Sequence, residues 1–249
     1  MRIAVIADIH GNAPALREVL NDLSRYSIDR IVNLGDAFNG PIDPSGVARL
    51  LRDQQIVHVR GNGERMVLSD NPAERSRSAD FARGRLAAAE VEWIRTWPKV
   101  YQEAEYFACH GSPDSDVEYL LEEVIDEGAR LRTAEDIGGR LTSIGWSLLL
   151  CAHTHIPRFV RVGVHRSILN PGSVGLPAYS DSAPTPHKME VGSPHARYAI
   201  AESVSSGWKV SHIAIPYDYE MAATRAEYEG FPDWAKSIRT GYAPQVDLA

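Results

Sequence analysis

Cysteine is scarce in this chain of 249 residues: there are two, Cys109 and Cys151. Each lies inside an apolar run, which fits a reduced, buried thiol better than a disulfide. With that inventory no metal site of the CxxC kind can form. No apolar run approaches eighteen residues, so no membrane-spanning helix is expected. The opening "MRIAVIADIHG" has one basic residue and a short apolar run broken by Asp8, without a signal-peptide cleavage pattern. A cytoplasmic protein is expected. A polybasic block is also missing, and the net charge is −7. Both argue against a general nucleic-acid or membrane surface. An anionic substrate would therefore have to be attracted by something local. No linker separates two domains, and no segment repeats.

What the chain does have is 44% hydrophobic residues, enough for a substantial core. Strand-like and helix-like runs alternate at first. "RIAVIA" (2–7), "RIVNLG" (30–35) and "IVHVRG" (56–61) are apolar and rich in β-branched residues. Between them, Leu16, Val19, Leu20 and Leu23 recur at helical spacing, and Asp43 followed by Pro44 reads as a helix start. This rhythm predicts an α/β fold with a mostly parallel sheet. Residues 64–99 look helical. "EYFACHG" (105–111) returns to strand, and "DIGGRLTSIG" (136–145) is read as a helix. Four strand-like runs follow "SLLLCAHTHIP". Residues 176–195, rich in proline and serine, read as a surface loop, and "FPDWAKSIRTG" (231–241) as a terminal helix.

Five short motifs sit at strand ends. They are "ADIHGN" with Asp8 and His10, "LGDAFNG" with Asp36, "RGNGE" with Asn62, "ACHGSP" with His110, and "CAHTH" with His153 and His155. Ligands of open α/β sheets bind beyond the carboxyl ends of strands. Residues i and i+2 of a strand point the same way, so Asp8 with His10, and His153 with His155, can each present two donor atoms together. Two carboxylates, four imidazoles and an amide make a thiolate-free donor set suited to Mn²⁺, Fe, Zn²⁺ or Mg²⁺. Seven donors exceed what one tetrahedral ion needs, which points to two ions sharing a bridging carboxylate.

In this order, D-x-H, G-D, G-N, H-G and H-T-H, the motifs resemble those of the calcineurin-like metallophosphoesterase superfamily. The wording "DIHGN…LGDA…GPIDP…VRGN…CHGSP…AHTHIP…NPGSVG" is similar to its small bacterial and archaeal phosphodiesterase branch. The resemblance implies a four-layer αββα sandwich with a dinuclear metal site at the C-terminal ends of the strands. It implies that Asp8, His10 and His155 hold one metal, that Asn62, His110 and His153 hold the other, and that Asp36 bridges them. Residues 1–216 would form the phosphoesterase domain, with 217–249 a helical extension packed on it. The implied cofactors are two divalent ions, manganese first, with Fe, Zn, Ni or Mg as alternatives. The implied chemistry is hydrolysis of a small phosphodiester, nucleotide-like or aryl, by a hydroxide bridging the metals, with Asp36, Asn62 and His110 as catalytic residues. Two divalent cations outweigh Asp8, Asp36 and a hydroxide, which leaves about +1 locally. A dinucleoside polyphosphate hydrolase or a phosphomonoesterase is the alternative. Of another class is a weakly catalytic metal-binding scaffold. The expected partner is a small phosphate ester, with neither nucleic acid nor membrane.

Asn12 and Asn62 are the candidate substrate contacts, although a turn role suits Asn12 equally. Asn170, in "NPGSVG", orients a ligand or closes a turn, the turn being preferred. The sequence departs from the family at Gly63, where many relatives carry a histidine assigned as the general acid. Such an acid is typically worth about 10²–10⁴-fold. A good leaving group would make it dispensable. His187 and His195 are replacement donors, although a loop histidine is more often an ordinary surface residue. Glu64 keeps an acidic position expected to brace a neighbouring ligand.

Overall fold

A computed structural model describes residues 1–125, 128–141 and 145–245. The first stretch runs β1 (Arg2–Ile6), α1 (Ala13–Leu23), β2 (Arg30–Asn33), α2 (Pro44–Arg52) and β3 (Ile56–His58), then α3 (Asn62–Leu68), α4 (Arg77–Arg85) and α5 (Ala88–Arg95). Next come β4 (Val100–Gln102), β5 (Tyr106–Cys109), the hairpin β6 (Glu122–Ile125)–β7 (Gly128–Leu131), α6 (Ala134–Gly139), β8 (Leu148–Leu150), β9 (Arg158–Arg161) and β10 (Ser167–Asn170). The chain continues with β11 (Ala178–Asp181), β12 (His187–Glu190), β13 (Ala196–Val204), β14 (Gly207–Ile215), α7 (Tyr219–Tyr228) and α8 (Pro232–Thr240).

The strands form two five-stranded sheets, ordered β14-β13-β1-β2-β3 and β4-β5-β8-β10-β9. In the first, β1, β2 and β3 run parallel, with β13 antiparallel to β1. In the second, β5, β8 and β10 run parallel, with antiparallel strands at both edges. Each sheet thus contains a block of three parallel strands, and the motifs follow strands of those blocks.

Side-chain alternation assigns the layers. Ile3, Val5 and Ala7 enter one buried cluster together with Tyr106, Ala108, Leu148, Leu150 and Leu169, so this cluster lies between the sheets. Ala4 and Ile6 face the opposite way, into a cluster shared with Leu16, Val19, Val47 and Leu51 of α1 and α2 and with Ala226 and Ile238 of α7 and α8. The odd members Phe107, Cys109, Leu149 and Cys151 pack with Ile137 of α6 and with Trp146. Helices, sheet, sheet and α6 make the four layers. Both cysteines are free and buried, as their apolar surroundings predict.

Three sequence expectations need correction. Residues 64–99 form separate helices rather than one run: Pro72 stands between α3 and α4, and α4 ends at Arg85 before α5 begins at Ala88. The segment 176–195 is not a plain loop, since β11 and β12 pair antiparallel within it, Tyr179 opposite Met189. Its two strands are only four residues each and are flanked by prolines, so they leave little pattern in the sequence. Of the helix expected over 136–145, residues 136–139 belong to α6, and residues 142–144 lie outside the described residues.

Candidate metal centre

All five candidate-ligand segments converge where the parallel strands of the two sheets end. The ligands do not sit on the pleated strands themselves. β1 stops at Ile6, two residues before Asp8, and β8 stops at Leu150, three before His153. Asp8, His10, Asp36, His153 and His155 have φ of 52°, 51°, 51°, 70° and 60°, and they are the non-glycine residues in the left-handed region among those described. The strand pleat is therefore not what aims these side chains; a left-handed turn at each ligand does. Such conformations are costly outside glycine and cluster at functional sites.

The turns are clamped by hydrogen bonds that continue the sheet beyond its strands. Asp8 N–H donates to Gly35 O (3.0 Å), His10 N–H to Asp36 O (2.9 Å) and Gly175 N–H to Asp8 O (3.0 Å). The Ser173 hydroxyl also donates to Asp8 O (2.7 Å). Glu64, fully buried, accepts from Asp36 N–H (2.8 Å), Ala37 N–H (2.7 Å) and Gly61 N–H (2.9 Å). It therefore fixes the backbone on which Asp36 is mounted, which is the bracing role its position implies.

The donor atoms group into two clusters. Asp8, His10 and His155 form one, and Asp36, His110 and His153 the other, with the atoms of each within 4.8 Å of one another. Asn62 joins the second, its Oδ1 standing 3.1 Å from His110 Nε2. Asp36 reaches towards both: Oδ2 lies 4.0 Å from His10 Nε2, and Oδ1 lies 3.5 Å from His110 Nε2.

Three imidazoles are oriented identically. His10 Nδ1–H donates to Asn39 O (2.8 Å), His110 Nδ1–H to Leu34 O (2.8 Å) and His155 Nδ1–H to Leu176 O (2.6 Å). A carbonyl only accepts, so the proton sits on Nδ1 and each Nε2 turns a lone pair into the pocket. His10 Nε2 and His155 Nε2 then face each other at 3.1 Å. Asp8 Oδ1, fully buried, has no hydrogen-bond partner among the described residues. Opposed lone pairs and an orphaned carboxylate oxygen are what a cation would satisfy, so the residues fit a metal.

The electrostatics favour ligation by Asp8, His10 and His153. Burial opposes charge on Asp8, but His155, His110 and His10 outweigh it and hold its carboxyl below the usual range. Burial pushes His10 down, and His155 adds to that. Burial, then His110, pushes His153 down further. Both are thereby kept neutral and free to ligate. Burial would also lower His110, but Asp36 and Asp8 raise it on balance. Burial and the neighbouring Glu64 raise Asp36 against the pull of His110.

Other sequence candidates lie elsewhere. Asn12 Oδ1 caps α1 by accepting from Ala15 N–H (3.1 Å), and its Nδ2 donates to Gly175 O (2.9 Å) and the Tyr217 hydroxyl (3.0 Å). No donor is left over for a phosphate oxygen, so Asn12 is placed as a structural residue. Asn170 Nδ2 donates to Ala152 O (3.1 Å) and Thr154 Oγ1 (3.1 Å), which fits the turn role. His187 is not a surface histidine: it is fully buried, with Nε2 3.0 Å from the Tyr119 hydroxyl and Nδ1–H donating to Thr185 O. His195 contacts the Ser193 hydroxyl and reaches none of the cluster.

Four site neighbours carry no sequence signal of their own: three are aromatic residues outside the five ligand motifs, and the fourth, Asn39, lies within "LGDAFNG" behind Asp36. Trp234 lies edge-on to the His10 ring (5.6 Å, 76°), and Tyr179 to the His155 ring (4.7 Å, 63°). Tyr119 stands 5.2 Å from the His153 ring and accepts a hydrogen bond from the Tyr179 hydroxyl (3.1 Å). Asn39, 6% exposed, has a buried Oδ1 without a partner among the described residues. It also explains Gly63. A Cβ at 63 would stand 2.8 Å from Asp36 Oδ1 and 2.9 Å from Asn39 Cβ, while Gly63 N–H donates to that same Oδ1 (2.7 Å). The place of the missing histidine is closed.

Two facing sheets with metal-donor clusters at their shared strand ends define the metallophosphoesterase architecture. Residues 1–186 match the model of the calcineurin-like phosphoesterase superfamily domain, and the chain belongs to that superfamily of metal-dependent phosphoester hydrolases. It is 25% identical over 255 residues to an uncharacterized protein of Methanocaldococcus jannaschii, covering 93% of this chain and 94% of that one. In structure it is similar to a metallophosphoesterase from Sphaerobacter thermophilus (TM-score 0.76, 24% identity, 97% of this chain and 99% of that one). It is also similar to a hypothetical protein from Pyrococcus horikoshii (TM-score 0.73, 19% identity, 98% and 99%). These two likenesses bear on the fold.

Proposed function

We propose that the protein hydrolyses a small phosphodiester at a centre of two divalent metal ions. Asp8, His10 and His155 would hold one ion; Asn62, His110 and His153 would hold the other; Asp36 would be shared. The observation that carries the reading is Asp36, whose two oxygens are directed at separate imidazole clusters, 4.0 Å and 3.5 Å away. The ions, when bound, supply positive charge for the phosphoryl oxygens and lower the pKa of bound water. The chain's own part is positional. Glu64 and the backbone clamps fix Asp36 and Asp8 before any ligand arrives, and the Nδ1–carbonyl bonds fix the ring orientations. Such preorganisation is how charge stabilisation becomes effective.

One feature favours a good leaving group, and a second favours a diester. With position 63 closed to a side chain, the leaving group must depart with little protonation, as an aryl oxide or a phosphate does. In addition, a cleft lined by Trp234 and Tyr179, which pack on the His10 and His155 rings, leaves room for a second ester group. Manganese is the expected metal and the cytoplasm the expected compartment. The test is turnover in Mn²⁺ of bis-p-nitrophenyl phosphate against p-nitrophenyl phosphate, with Asp36→Asn alongside and metal content measured on both proteins. The reading requires diester cleavage to exceed monoester cleavage. In the variant, activity should fall at least 100-fold and bound metal should drop from two ions per chain. Stoichiometric metal without cleavage of any ester would favour the scaffold reading, which Gly63 otherwise supports.

A further inference from the structure

We infer that the cleft between the N-terminal end of α4, α8 and the β11–β12 hairpin is a specificity subsite. It would receive the ester group that is not expelled and select a flat aromatic one, an aryl ring or a nucleobase. This rests on the diesterase reading above. The cavity measures about 390 Å³, within the usual range of ligand pockets (about 300–1,000 Å³). Its walls include Leu176, Tyr179, Phe231, Trp234 and Arg77. Three of these also back the candidate metal cluster: Trp234 on His10, Tyr179 on His155, and Leu176 through the carbonyl that receives His155 Nδ1–H. Trp234 and Tyr179 thus stand against both the cleft and a ligand imidazole, so the cleft adjoins the candidate metal site where a phosphoryl group would sit.

The lining decides what the substituent is. Aromatic walls take either a flat ring or a quaternary ammonium group. Here the Phe231 face already carries a cation, since the Arg77 guanidinium lies 4.2 Å over it and Nη1 is tied to Gly230 O (2.8 Å). Asp233, exposed at the rim in the first turn of α8, supplies the opposite sign, so the mouth has no net field to draw in a cationic head group. Trp234 is half-buried, which leaves part of the indole for a ligand. Its place is constrained by a close approach to Gly40, where a Cβ would meet the indole at 3.1 Å. A rigid indole beside the reacting group favours stacking, which is worth about 1–3 kcal/mol per ring.

The test uses the Mn²⁺-loaded full chain and three esters with one leaving group: bis-p-nitrophenyl phosphate, methyl p-nitrophenyl phosphate and p-nitrophenylphosphorylcholine. Allowing for its two equivalent leaving groups, the bis-aryl ester should show kcat/KM about tenfold above the methyl ester, and the choline ester should not exceed the methyl ester. Trp234→Ala should bring the aryl-to-methyl ratio to near one; Trp234→Phe should retain most of the ratio. A ratio unmoved by Trp234→Ala, or an equal fall for both esters, would overturn the subsite, and so would a preference for choline. Calorimetric binding of phenylphosphonate against methylphosphonate provides a readout that needs no turnover. The phenyl compound should bind about tenfold more tightly, and Trp234→Ala should erase the difference. If no ester is cleaved but that difference appears, the diesterase reading fails and the subsite stands. If esters are cleaved without it, the subsite fails alone.

Discussion

Replacing Glu64 with glutamine tests whether the backbone under Asp36 is what organises the centre. The carboxylate is fully buried and accepts three backbone N–H bonds of 2.7–2.9 Å. Glutamine has nearly the same shape but one acceptor oxygen. With that oxygen at the position bonded to Asp36 and Gly61, its NH₂ faces Ala37 N–H, donor against donor. One buried N–H is then unmade, at about 1–3 kcal/mol, and two charge-assisted bonds become neutral, losing roughly 1 kcal/mol each. Two effects oppose this: a buried charge disappears, and so does the repulsion by which Glu64 raises Asp36. Hydrogen bonding should win, because these N–H groups have no water to turn to, for a net loss of about 2–4 kcal/mol. That is a large part of a typical domain stability of about 5–15 kcal/mol. Urea unfolding of the metal-free protein should show a lower midpoint at unchanged slope. Manganese affinity should fall about 10–100-fold, as when an outer partner of a ligand is lost. A midpoint within 0.5 kcal/mol equivalent of wild type (about the scatter of surface substitutions), with metal affinity intact, would refute the reasoning.

Gly63→Ala should cost about 1–3 kcal/mol by overpacking against Asp36 and Asn39, and a manganese titration should show affinity at least tenfold weaker; Gly63→His should not raise turnover of esters with poor leaving groups, and a rise would mean that position 63 is open after all. His58, stacked on Trp97 at 4.1 Å, is lowered by burial to about 4 from its usual 6.5. The unfolded chain therefore takes up a proton below 6.5 that the folded chain refuses until about 4, so stability falls as pH drops through that window, by at most about 3 kcal/mol. His58→Phe should remove that part of the slope, leaving the part due to His10 and His153, and urea midpoints at pH 7 and pH 4.5 will measure the difference.

The parallel strands and the ligand list were legible because both leave strong local patterns. Apolar β-branched runs ending in Asp, His and Asn beside glycine need little context to interpret. The mechanism of aiming was not legible. A D-x-H on a strand and a D-x-H on consecutive left-handed turns read identically, and only the backbone separates them. Asn12 is open to two readings in the sequence for a related reason. An asparagine after a site histidine looks like a substrate contact, whereas its amide is consumed by Ala15, Gly175 and Tyr217, the last two more than 160 positions away. Trp234 and Tyr179 were invisible because aromatic residues read as core wherever they fall. The β11–β12 hairpin was hidden by its short strands and flanking prolines.

The left-handed ligands also bear on how the site is held in place. Each of the five strained residues costs on the order of 1 kcal/mol or more, so together they consume at least ~5 kcal/mol, comparable with the stability of a small domain. An arrangement that expensive persists only if its surroundings leave it no relaxed alternative. The clamps meet that condition, because Asp8, His10 and Asp36 are each held through their backbone by groups from another segment: Gly35, Gly175 and Ser173 for Asp8, Asp36 for His10, and Glu64 for Asp36. Strand β1 reaches the site by pairing with β2, so the first two motifs brace each other across the ladder that folds them. Metal affinity and fold stability should therefore be coupled at the backbone, and substitutions that never touch a donor atom should still weaken metal binding.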